Sequence, residues 1–63
     1  MDIQWIDTIE LNLWDGCEEV LKTFEAGDET EVEVDAENGT TVDLSFQDGT
    51  QAFGVVLDSF KEV

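Results

Sequence analysis

The sequence predicts an α+β domain in which one helix packs on one face of a mainly antiparallel sheet, in the order strand, helix, strand, strand, strand. Three features point there. Apolar residues alternate with period two at the start of the chain and switch to helical spacing after Leu13. Two Xaa-Gly turn signals, Asn38-Gly39 and Asp48-Gly49, punctuate alternating runs in the second half. Leu, Ile, Val and Phe make up about 30 % of the 63 residues, above the roughly 20 % below which high charge means disorder.

The elements follow in order. Ile3, Trp5, Ile9, Leu11 and Leu13 occupy odd positions against Gln4, Thr8, Glu10 and Asn12, a half-buried strand interrupted near Asp7 by a bulge or turn. Leu13, Trp14, Cys17, Val20, Leu21 and Phe24 then share one helical face. Asp15 with Glu18 forms an Asp variant of the capping box, with Asn12 a rival cap, and Gly27 is the expected stop, which sets a helix over 15–26.

The run from Glu31 to Glu37 alternates again and leads through Asn38-Gly39 to Val42, Leu44 and Phe46. A three-residue loop, Glu37-Asn38-Gly39 with Gly39 left-handed, pairs Val34 with Val42 and Val32 with Leu44, keeping apolar side chains on one face. A two-residue turn at Asp48-Gly49 sets Leu44 opposite Phe53 and Val42 opposite Val55, which assigns Phe53, Val55 and Leu57 to the core, with Phe60 closing its edge. Residues 1–63 make one domain, without linker or repeat. There is no basic, apolar leader and no apolar run long enough to span a bilayer, so the expected location is the cytosol.

Charge is the feature furthest from ordinary. Seventeen Asp and Glu against two Lys, with no Arg or His, give a formal net charge of −15. Such self-repulsion destabilises the compact state. A surface of this kind repels nucleic acid and anionic membranes, so the expected partner is a basic protein. With Val32, Val34 and Ala36 facing the core, Glu31, Glu33, Asp35 and Glu37 line the opposite face, joined by Asp43 on the next strand. Glu18, Glu19 and Glu25 add a second set along the helix edge, and Trp14, at the junction of strand and helix, is a candidate anchor. Carboxylates on one strand recur about every 6.6 Å, whereas duplex DNA carries a charge per roughly 1.7 Å of axis, so several rows are needed to approach its density.

Catalysis has few tools here. Without His, Arg or Tyr, only a buried carboxylate such as Asp7 could act as acid or base, and a turn explains Asp7 better. Cys17 has no neighbouring base and reads as a packing residue; a single Cys allows no intrachain disulfide. Asp35-x-Glu37-Asn38-Gly39 does not fit a calcium loop, since Gly39 falls fifth rather than sixth and Phe46 stands at the twelfth position. No cofactor or metal is implied. Ile6 and Val56 point away from the core and could form a small apolar patch if their strands are neighbours, seeding a weak homodimer or anchoring a partner.

In size, charge, the Glu31-Val-Glu33-Val-Asp35 strand on a meander and the acidic helix expected before it, the chain resembles the acidic DNA-mimic inhibitors encoded by phages. Among them it is most similar to the small anti-CRISPR proteins that act on type I effector (Cascade) complexes, the type I-C system included. The resemblance implies a non-catalytic protein that binds the Lys- and Arg-rich subunits recognising target DNA and so excludes the DNA. The alternative is a small halophilic protein whose acidity is an adaptation to salt and says nothing of function.

Overall fold

Every apolar run in this chain is short and bounded by a turn, and in the computed structural model, which describes residues 1–63, every one of them is a strand. The strands are β1 (Asp2–Trp5), β2 (Ile9–Trp14), β3 (Glu19–Phe24), β4 (Glu29–Asn38), β5 (Thr41–Phe46), β6 (Gln51–Val56) and β7 (Phe60–Glu62), with a 3₁₀ turn at Leu57–Ser59. They form one antiparallel sheet in the order β3-β2-β6-β5-β4-β1-β7. The fold is therefore nearly all β, not α+β. No helix is long and apolar enough to cross a membrane.

The expected helix 15–26 is instead the β2–β3 hairpin. Asp15 makes the hydrogen bonds of a cap, its Oδ1 accepting the backbone N–H groups of Cys17 and Glu18 at 2.8 Å each. The same bonds also close a tight turn, and Gly16 decides between the two. Its φ of 103° lies far from helical values, and the chain reverses there. Leu13 then pairs with Val20 and Ile9 with Phe24. Cys17, expected on a packed helix face, is an exposed residue of this turn.

The expected first strand is two strands. Ile6-Asp7-Thr8 breaks the chain between β1, which lies between β4 and β7, and β2, which lies between β3 and β6. The odd-position alternation runs through both. Ile3, Trp5 and Leu13 are buried, and Ile9 and Leu11 pack against the core.

With no helix to cover it, the sheet buries its inner face by curling. In a flat sheet β1 and β3, five places apart, would be about 24 Å from each other. Instead the Trp5 and Phe24 rings lie 4.7 Å apart, and Phe24 stacks on Phe46 at 5.5 Å. Ten residues close the core: Ile3, Trp5, Leu13, Phe24, Val32, Val42, Leu44, Ala52, Val55 and Phe60.

Two bulges reset the meander. In β4–β5, Val34 faces Leu44 but Ala36 faces Asp43, which leaves Asp35 as an extra residue. The pairings expected for Val34 and Val32 are thus displaced by two residues, and the turn is Gly39-Thr40, closed by Asn38 opposite Thr41. In β5–β6, Val42 faces Val55 as expected, but Leu44 faces Ala52, so β6 carries one extra residue at Phe53-Gly54. Ala52 takes the core place expected for Phe53, and Phe53 is 60 % exposed. Leu57, also expected inside, is exposed in the 3₁₀ turn.

Gly54 makes the second bulge possible. Its φ is 69°, and a Cβ there would meet no other atom, so the penalty for a larger residue is backbone strain alone. Gly54→Ala is expected to lower stability by about 1–2 kcal/mol. D-alanine, placed there by chemical synthesis, suits the same φ and should keep or raise it. Thermal melts of the two variants check this; an unchanged Tm for the L-alanine form would contradict it.

Candidate anionic interface

Because directly opposed residues of an antiparallel pair point to the same side, the register sorts the carboxylates by face. Val32 is buried on the inner face, so Glu31 and Glu33 stand on the outer one, and Glu29 continues the row. Asp35 joins them, since Ser45 Oγ donates to its carboxylate and Gln51 Nε2 lies 3.5 Å from the same oxygen. Glu29, Glu31, Glu33 and Asp35 therefore form a ridge along β4, with neighbours about 6.6 Å apart.

The ridge is flanked on both sides. Asp2 of β1 pairs with Glu31, and Asp43 of β5 lies beyond Asp35. The two bulges meet at Asp43. One inserts Asp35 next to it, and the other turns the Gly54 N–H toward its Oδ1 at 3.0 Å. Bulges commonly redirect side chains in this way. Gln47 Nε2 donates to Glu31. Polar neighbours on and beside β5 and β6 thus hold two ridge carboxylates, Glu31 and Asp35, and the flanking Asp43 in place. Gln51 was not legible as a partner of Asp35, because that contact needs the shifted β5–β6 register.

Glu37 leaves the set. The bulge at Asp35 puts Glu37 opposite Val42, on the phase of the inner face, where it is exposed at the sheet's end. Ala36, expected to face the core, moves to the phase of Asp43. The expected helix-edge row also dissolves. Glu18 lies in the β2–β3 turn, Glu19 starts β3 opposite Trp14, and Glu25 follows β3, where Thr8 Oγ1 reaches its carboxylate at 3.5 Å. Glu19 and Glu25 are separated by the length of a strand, roughly 20 Å.

Trp14 ends β2 and is 37 % exposed. Ile6 and Val56 are both exposed; Ile6 follows β1 and its N–H donates to Ser59 O at 2.9 Å, while Ser59 Oγ donates to Val56 O at 2.6 Å.

Two carboxylates are held below the usual range, both in turns. The backbone N–H groups of Glu18 and Cys17 stabilise ionised Asp15. The Thr50 hydroxyl and N–H do the same for Asp48. Of the two lysines, Lys22 lies on the inner side of β3 with its Nζ 5.2 Å from the Phe24 ring centre, and Lys61 is on the edge strand β7. Neither stands on the β4 ridge.

Comparison of the chain with protein-family models, with curated proteins and with solved structures finds no match.

Proposed function

We propose that this chain is a non-catalytic inhibitor that imitates DNA and occupies the basic DNA-recognition surface of a nucleic-acid-handling complex, with type I CRISPR effectors as the foremost target and the bacterial cytosol as the place of action. The observation that supports it is the β4 ridge. Four carboxylates stand in line on one face, flanked by Asp2 and Asp43. Carboxylates at this spacing carry about half the charge density of one DNA strand, which has a phosphate per roughly 3.4 Å of rise. The flanking rows raise that density locally. A groove that focuses positive potential attracts such a surface and accelerates encounter.

The test is competition. A type I effector complex with fluorescent target duplex is titrated with the chain at roughly 0.15 M salt, and circular dichroism is recorded in the same buffer. The expected result is stoichiometric loss of bound duplex by a folded chain, weakening as salt rises. Duplex that stays bound at every concentration overturns the reading for this target. A chain that folds only in molar salt overturns the reading as a whole and favours salt adaptation.

A further inference from the structure

The outer face has a second half unlike the ridge. On β2 and β3, Asn12 pairs with Leu21 and Trp14 with Glu19. On the other side of β2, Leu13 pairs with Ala52 and Trp14 with Gln51, and one step further along β6 stands Phe53. Leu13, Ala52 and Phe24 are buried on the inner face, so Trp14, Leu21 and Phe53 project outward from three adjacent strands around Asn12. They are 37, 61 and 60 % exposed. Adjacent strands are about 4.8 Å apart, so Leu21 and Phe53 lie roughly 10 Å from each other across β2. Contiguous exposed apolar side chains rimmed by polar groups mark interaction sites.

That rim is anionic. Glu10 and Glu19 lie on the outward phase of β2 and β3, and Asp35 and Asp43 approach from the side of β5. We propose that Trp14, Leu21 and Phe53 anchor a cationic protein partner, receiving an apolar or aromatic knob while the surrounding carboxylates receive the lysines and arginines beside it. The cationic partner is the one taken from the function proposed above. Charge selects this occupant. A second copy would bring −15 against −15, and in a two-fold dimer the carboxylate rim would face its own image. A membrane with anionic headgroups meets the same repulsion. In this arrangement the ridge supplies attraction and encounter rate, and the patch supplies the short-range, desolvated contacts that discriminate between basic surfaces.

The test uses two synthetic peptides of equal positive charge, one alternating Lys with Leu and Trp, the other Lys with Ser. Each is titrated into isotopically labelled chain and followed by NMR. The expected result is at least about 30-fold tighter binding of the apolar peptide, with the largest shifts at Trp14, Leu21, Phe53 and Asn12. Replacing all three anchors by Ser should make the two peptides bind equally, and exposure at these positions leaves the fold intact. Equal affinity of the wild-type chain for both peptides, or shifts confined to β4, overturns the proposal. So does concentration-dependent dimerisation, in sedimentation, that the Ser variant abolishes, because the occupant is then a second copy. Failure of the mimicry is separable. Peptide discrimination without effector inhibition removes the function and keeps the anchor, whereas full inhibition by the Ser variant removes the anchor and keeps the mimicry.

Discussion

Replacing Glu31, Glu33 and Asp35 by Lys is expected, on the proposed DNA mimicry, to reduce inhibition at least about 100-fold while leaving the fold in place. Each reversal changes the charge by +2, so the chain moves from −15 to −9. An exposed ion pair contributes only about 0.2–1 kcal/mol. Within a closed interface, leaving the partner's cation unpaired costs about 2–5 kcal/mol, and reversal adds repulsion. Three such positions on one strand therefore exceed the roughly 2.7 kcal/mol that a 100-fold change requires.

The effect on stability has the opposite sign. The ridge carboxylates repel one another, and Glu31→Lys would place an ammonium opposite Asp2 across the β1–β4 ladder, turning a like-charge pair into an opposite one. The lost partners of Ser45, Gln47 and Gln51 are surface hydrogen bonds that water replaces. Gain of stability with loss of inhibition is the signature of a surface kept for binding. The checks are a thermal melt and the effector competition on the same sample. Undiminished inhibition would remove β4 from the interface and direct attention to Glu19 and the patch beside it.

What can be read from the sequence follows from what each signal constrains. Period two identifies β4, β5 and β6 and places Glu31, Glu33, Asp35 and Asp43 on the face away from Val32, because alternation is a property of the backbone. It cannot show the bulges. An extra residue changes phase without changing composition, so alternation alone puts Glu37, Ala36 and Phe53 on the wrong faces. Only Gly54, a glycine inside an apolar strand, signals one of them.

The helix expected over 15–26 fails for a different reason. Leu13, Trp14, Cys17, Val20, Leu21 and Phe24 fit a helical stripe, but Leu13 and Phe24 are buried while Trp14 and Leu21 are not. The stripe mixes the outward and inward faces of a hairpin. Asp15-Gly16 between Leu13-Trp14 and Glu19-Val20 is the same kind of turn signal as Asp48-Gly49, and Val20 and Thr23 favour a strand. The apolar patch is invisible in the sequence for the same reason. Trp14, Leu21 and Phe53 belong to one surface only once 15–26 is a hairpin and β2 lies between β3 and β6.

Trp5→Ala is expected to unfold the protein near physiological ionic strength. Trp5 is 1 % exposed and joins the two halves of the curled sheet, with Phe24 of β3 at 4.7 Å and Phe60 of β7 at 5.7 Å. Its indole Nε1 donates to Thr30 Oγ1 at 3.1 Å. Truncating a buried Trp costs about 3–5 kcal/mol. A domain of this size is stable by roughly 3–9 kcal/mol in all, and a charge of −15 draws on that margin. The loss therefore takes most or all of it. High salt shortens the screening length to about 3 Å at 1 M and should restore part of the fold, because repulsion is the opposing force that salt weakens. Trp5→Phe keeps the ring stack and gives up the hydrogen bond, so it should remain folded with a lower Tm. Circular dichroism of both variants across a salt series checks this, with inhibition expected to track the folded fraction, since β1 holds the ridge strand on the side away from β5. A cooperative melt for Trp5→Ala within a few degrees of the wild type would mean that the curl is not closed through this residue, and that Phe24 and Phe46 alone hold β3 over the core.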